Sequence, residues 1–237
     1  MGNIVDSLQK WILKLAPYPA LALVLVSLAG IFFWVPTDAG LGLSQRIFYY
    51  HVPAATSCFL AFAGGGIASA LYLYTRRPWW DHAAHAAVSV GMLFATIVLC
   101  TGMIWARTAW GAWWTWDSRL TTFLILWLVY ASYLLLRTLT RDNDMGPRYA
   151  AVLCIVGALN VPLVMMATRL FRTIHPQVIN NPQGGIKDGS MIATLMLSMG
   201  AEITLMVWLW ALTVSTLRLR DRVELLSEES YRRSVPS

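Results

Sequence analysis

Charge is scarce in this chain: Asp, Glu, Lys and Arg together make up 13% of its 237 residues, about half the share of an ordinary soluble domain. Long polar stretches are scarce with it, which excludes an intrinsically disordered protein and leaves no room for a sizeable soluble domain. Cysteine is rare and odd in number. Cys58, Cys100 and Cys154 all fall inside apolar runs, so no disulfide framework is expected. The C-x-x-C-H motif is missing, which excludes covalently attached haem of the c-type. No Walker motif, nucleophilic triad or convincing carboxylate pair occurs, so the chain carries no site of its own for ATP hydrolysis.

Hydrophobic residues make up 57% of the sequence, and the mean hydropathy is +0.57. A soluble fold of this size has too little interior to hide so much apolar surface. With about 20 residues per membrane crossing, the runs at 20–35, 52–74, 83–106, 121–136, 149–170 and 189–217 read as six transmembrane helices. The fold class expected is therefore an all-α integral membrane protein, a single membrane domain over 1–237. Ile4, Leu8, Trp11, Ile12 and Leu15 recur at helical spacing, with Asp6, Lys10 and Lys14 elsewhere on the wheel. Residues 1–16 thus read as a short interfacial helix lying on the membrane, stopped by Pro17 and Pro19, with no cleavage site after it. The charged tail 218–237 reads as a helical extension of the sixth span that frays.

Twelve of the eighteen Lys and Arg residues lie in the N-terminal segment, the loops 75–82 and 137–148, and the tail. Positive residues favour the cytoplasmic side, so both termini are expected there. The net charge of +6 is spread over short loops, which suits topology and contact with anionic lipid rather than nucleic acid. The three remaining loops face outward on this reading, and they hold the Trp, His, Pro and Gly.

Five of the twelve tryptophans fall between Trp105 and Trp116. Tryptophan favours the headgroup zone, but one or two per helix end serve for anchoring, as Trp34 and the Trp79–Trp80 pair do. Five beside Asp117 and Arg119 point to a surface of indoles suited to a large planar ligand, in the outer loop 107–120. At helical spacing Trp110, Trp114 and Asp117 share one face, and Trp113, Trp116 and Leu120 another. His51, in R-I-F-Y-Y-H-V-P just before the second span, and His175, in F-R-T-I-H-P just after the fifth, flank that loop on the same side. Two neutral imidazoles brought together from separate helix ends suit the two axial positions of haem iron; single interfacial roles are the alternative. His82 and His85 sit at the other end, and an interfacial role fits them better than metal binding. Arg46, Arg107, Arg119, Arg169 and Arg172 lie on the outer side as partners for carboxylates, with Arg119 first among them. Asp117 is placed to orient it or a ligand histidine.

Within the bilayer, Glu202 falls near the middle of the sixth span, where a carboxylate is costly and is protonated, paired, or set against a polar cavity or partner. Asn160 and Pro162 interrupt the fifth span and predict a kink. Gly64, Gly65 and Gly66 permit close helix approach in the second.

The string W-G-A-W-W-T-W-D-S-R-L-T-T, Trp110 to Thr122, resembles the signature of the tryptophan-rich haem-handling membrane proteins of cytochrome c biogenesis. With six spans and R-I-F-Y-Y-H-V-P-A-A, essentially the whole chain is similar to the haem-handling protein C (CcmC) family of the bacterial cytochrome c maturation system. The resemblance implies a multi-pass protein of the bacterial inner membrane. It implies haem b (iron protoporphyrin IX), held non-covalently with His51 and His175 as iron ligands. Trp110, Trp113, Trp114, Trp116, Asp117 and Arg119 would form the haem platform and docking surface, with Arg46 a further haem contact. Implied partners are a membrane-tethered periplasmic haem chaperone, the ATPase and membrane subunits of an ABC transporter, a small single-span subunit, and lipid. The family often carries a Trp pair just upstream of the second histidine, where this chain has Leu170 and Phe171. Two other readings of the residues remain: a di-haem cytochrome b-type electron carrier, whose ligands would lie inside the spans, and a transporter built around Glu202 and the fifth span.

Overall fold

The computed structural model describes residues 10–38, 40–141, 143–171, 173–175 and 188–234. A helical stretch over residues 10–15 leads into six long helices; the remainder of the expected interfacial helix lies outside the described residues. Helix α1 (Pro17–Ala29) begins on a proline, whose fixed φ suits a first turn, and closes in a π-helical turn, Gly30–Trp34. Helix α2 (Phe48–Thr75) follows a 3-10 turn, Leu43–Ile47. Helices α3 (Pro78–Trp110), α4 (Ser118–Leu139), α5 (Gly146–Leu170) and α6 (Gly189–Ser234) complete the set. All six are long and apolar enough to cross a membrane, and among the described residues no strand occurs. The chain is an all-α, six-span membrane protein.

The helices overrun the spans that hydropathy outlines, because backbone hydrogen bonding continues into the polar ends. α2 begins four residues ahead of the expected Val52, so His51 lies inside its first turns rather than before them. Pro53 is tolerated there because it removes a single helical hydrogen bond close to the start. The tail continues the sixth span. At 1.5 Å per residue the 46 residues of α6 run about 70 Å, roughly twice the hydrocarbon thickness. As the helical extension expected of the tail, α6 continues past residue 217 and stays helical through Ser234, the last described residue. Its projecting part carries an Arg220–Glu224 pair at 3.0 Å and an Arg233–Glu229 pair at 3.8 Å, both at i,i+4 spacing. α5 runs unbroken through Pro162.

α2 lies at the centre, packed against α3, α5 and α6, while α1 lies along α6. Lipid tails are as apolar as the core, so close van der Waals contact rather than water exclusion holds such a bundle together. Phe62 of α2 and Tyr130 of α4 stack with centroids 3.8 Å apart and rings 11° from parallel. The Tyr130 hydroxyl donates to the Cys154 carbonyl of α5 at 3.3 Å. In the triple glycine, Gly66 meets Ala158 of α5 so closely that a Cβ would collide, while Gly64 faces open space.

Polar side chains tie the end opposite the tryptophans. Arg137 of α4 donates two hydrogen bonds to Asp81 of α3, at 2.7 and 3.0 Å, with His85 Nδ1 3.4 Å away. His82 Nε2 lies 2.7 Å from Asp221 of α6, and Arg141 pairs with Glu224. His82 and His85 therefore belong to a clamp across α3, α4 and α6. No group of three or more His, Cys, Asp or Glu that could hold a metal occurs among the described residues.

Candidate functional site

α3 ends at Trp110 because Gly111 takes a left-handed conformation (φ 75°), which a residue without Cβ adopts at no steric cost. The Arg107 guanidinium donates to the Gly111 carbonyl and closes the turn. From 111 to 117 the chain is not helical, and helix resumes at Ser118 with Asp117 as N-cap. The helical faces expected for the tryptophan string do not form. The loop also is shorter than 107–120, because the flanking helices claim both its ends.

This break sorts the tryptophans. Trp110 and Trp114 line a cavity of about 450 Å³, whereas Trp113 and Trp116 point away and are 59% and 77% exposed. His51 from α2, His175 from the segment after α5, and Arg119 from the start of α4 line the same cavity. Its deeper wall is apolar and comes from Ala55, Phe59, Val98 and Phe123. Trp105, to which its place in the string gives no role, lines it as well. Its ring lies 5.2 Å from Trp110 and 6.4 Å from His175, and Trp110 lies 6.2 Å from His175.

Each imidazole is positioned by a partner distant in sequence. His51 Nδ1 lies 3.0 Å from Thr101 Oγ1 on α3, and its ring packs where Gly102 has no side chain; a Cβ there would stand 3.1 Å from His51 Cε1. Helical spacing from Trp105, at i−4 and i−3, could have picked out Thr101 and Gly102. His175 is fixed through its backbone. Asp117 Oδ1 accepts from the Thr173 hydroxyl at 2.8 Å, Asp117 Oδ2 from the Ile174 N–H at 3.0 Å, and Thr173 Oγ1 from the His175 N–H at 3.0 Å. Asp117 also accepts from the Arg119 N–H at 3.0 Å. Burial pushes the Asp117 carboxyl up, but these hydrogen bonds outweigh it and hold the group below its ordinary value. Burial, with the positive charge of Arg119 added, holds His175 down to about 3. The ring is therefore neutral at physiological pH, with a lone pair on one nitrogen.

The arginines divide. Arg119 and Arg169 line the cavity, Arg107 caps α3, and Arg172 lies outside the described residues. Arg46 stands over the Phe32 ring at 5.7 Å, away from the cavity lining, with its Nε buried and unpartnered. Leu170 and Phe171 are exposed and do not line the cavity. Glu202 Oε2 and Asn160 Nδ2 are buried without hydrogen-bond partners among the described residues, outside this site. The cavity joins two imidazoles, indole walls and a guanidinium, a set of groups that can hold a flat, largely apolar ligand with an anionic edge and a metal centre.

Fold and site together define a six-span helical membrane protein with a histidine- and tryptophan-lined cavity at one end of its bundle. The family model described as heme exporter protein C (CcmC) matches residues 2–229. A protein named heme exporter protein C from Bradyrhizobium diazoefficiens is 33% identical over 216 residues, covering 90% of this chain and 82% of its own. One of the same name from Haemophilus influenzae is 33% identical over 227 residues, covering 92% and 88%. Another from Rhodobacter capsulatus is 38% identical over 149 residues, covering 62% of each chain. The chain belongs to the haem exporter protein C family.

Proposed function

We propose that this protein binds haem b non-covalently at the periplasmic end of its bundle and presents it to a membrane-tethered haem chaperone for cytochrome c biogenesis. The observation that carries the reading is the meeting of His51, His175, Trp110, Trp114 and Arg119 in one cavity, from three separate stretches of chain. On this reading the protein sits in the bacterial inner membrane with both termini cytoplasmic. It works beside the ATPase and membrane subunits of an ABC transporter and a small single-span subunit.

The residues present fit the group. His175 Nδ1 and Trp114 Nε1 are buried with no hydrogen-bond partner among the described residues, the condition of polar atoms whose partner is a ligand. His51 and His175 would hold the iron, Arg119 and Arg169 the two propionates, and Trp105, Trp110 and Trp114 the porphyrin edge. Haem, when bound, would itself supply the reactive group for any covalent attachment to a chaperone. The protein's part is to fix the ring, neutralise its propionates and keep water from its faces. Trp113 and Trp116, which leave the cavity for the surface, are suited to meet the chaperone, since exposed aromatics dominate contact energies at interfaces.

The test is an absorption spectrum of the purified protein. Wild type is expected to show the Soret and α/β bands of six-coordinate haem, and His51→Ala and His175→Ala each to lose or weaken them. Unchanged spectra in both variants would reject the assignment.

A further inference from the structure

The two imidazoles are held differently. His51 Nδ1 lies 3.0 Å from Thr101 Oγ1. The Thr101 hydroxyl proton is already committed: it points to the Ile97 carbonyl at 2.7 Å, with the Val98 carbonyl at 3.4 Å. A hydroxyl has one proton to give, so towards His51 the Thr101 oxygen can only accept, and the proton between them belongs to Nδ1. A neutral imidazole protonated on Nδ1 carries its lone pair on Nε2. Gly102 adds a steric limit, since the imidazole edge fills the space that a Cβ would take. Among the described residues, His175 Nδ1 has no such partner. Its backbone N–H is tied to Thr173, but Nδ1 is buried and unbonded. Its place is set by the segment that carries it, and among the described residues its ring packs against Trp105 and Trp110.

We propose that Thr101 is a positioning residue that locks His51 in the Nδ1–H tautomer, making His51 the fixed iron ligand and His175 the exchangeable one. This rests on the haem-binding reading above. Hydrogen bonds to the far nitrogen of a ligand histidine orient the ring and raise its basicity, so the bond from His51 outlasts the bond from His175 when another ligand competes. Release of haem to a partner then begins at His175, the less restrained of the two: it stands on a short segment held by Asp117, not on a helix held by its neighbour.

Two measurements test it. In the haem-free protein in lipid, with histidine labelled with ¹⁵N and His51 assigned by subtracting the His51→Ala spectrum, solid-state NMR reads the tautomer directly. His51 is expected as Nδ1–H in wild type and in Thr101→Ser, and shifted towards Nε2–H in Thr101→Val. An Nε2–H ring in wild type, or the same tautomer in Thr101→Val, overturns the role of Thr101. In reduced, haem-loaded protein, carbon monoxide displaces one ligand. The vibrational spectrum of the wild-type complex is expected to coincide with that of His175→Ala; coincidence with His51→Ala, or a mixture of the two, overturns the inequivalence. A protein with the expected tautomer that takes up no haem would defeat the functional reading while leaving the Thr101 assignment standing.

Discussion

Asp117 and Thr173 meet at 2.8 Å although 56 positions separate them in sequence, and that contact sets where His175 stands. The carboxylate caps α4 with one oxygen and gathers the segment after α5 with both. The position of the second histidine is therefore decided on the tryptophan loop, not on the helix that precedes it.

Substitution of Asp117 by Ala should loosen His175 while leaving the bundle intact. Three hydrogen bonds to a charged group are lost, each worth about 1.5–3 kcal/mol when well formed. Haem retained per mole of purified protein is expected to fall at least tenfold, with unchanged helical circular dichroism. Thr173→Val should lower it less, since Ile174 still holds Asp117 Oδ2. Because the Asp117 carboxyl is held below its ordinary value, its contribution is complete at neutral pH. It is lost only as the pH falls through that lowered value.

Filling the space at Gly102 should disturb His51. A Cβ there would stand 3.1 Å from the imidazole, tight enough that the ring must yield by a few tenths of an ångström. Gly102→Ala is expected to shift the Soret band and weaken haem binding severalfold. Gly102→Val should abolish binding, with thermal stability of the haem-free protein close to wild type in the alanine variant.

Arg119 should matter to the acid groups of the ligand rather than to its ring. Arg119→Ala is expected to weaken haem binding roughly 10- to 100-fold, in keeping with about 1.5–3 kcal/mol for a charge-assisted hydrogen bond. Binding of the dimethyl ester of haem, titrated in parallel, should change little. An equal loss for both ligands would assign Arg119 to the scaffold instead.

The tryptophans should separate by direction. Trp114→Ala is expected to lose haem from the purified protein. Trp113→Ala and Trp116→Ala, altered at exposed positions, should keep the haem spectrum and lose transfer to the chaperone.

At the opposite end, Arg137→Ala leaves Asp81 without its partner where the two side chains are only 17% and 12% exposed. Stranding one member of a buried pair costs about 3–5 kcal/mol. A lowered thermal midpoint is expected with normal haem content once folded, and Arg137→Ala combined with Asp81→Asn should recover part of the loss.

The six spans were legible because an apolar run of about 20 residues matches the thickness of a bilayer and little else in a protein needs one. The two histidines, Trp110, Trp114 and Arg119 were legible as a set because they cluster at one end of those spans. Their supports were not. Thr101 and Thr173 are single hydroxyls among many, and their partners lie 50 and 56 residues away, which no local pattern encodes. The helical faces assigned to the tryptophan string failed for a readable reason: Gly111 is suited to end a helix and Asp117 to begin one. Periodicity carried through a break sorts side chains wrongly. The tail was legible as a helical extension, but its ties back to the bundle were not: Asp221 meets His82 of α3 and Glu224 meets Arg141 just past α4, far apart in sequence.

The left-handed turn at Gly111 has a further effect. Had α3 run on, its indoles would have spread around a cylinder, and most would have met lipid. By stopping the helix at Trp110, the chain turns a short string into a wall with two sides, one lining the cavity and one facing outward. On the haem-presenting function proposed above, handover would occur across the thickness of a single loop, and the cargo would never have to pass through open water.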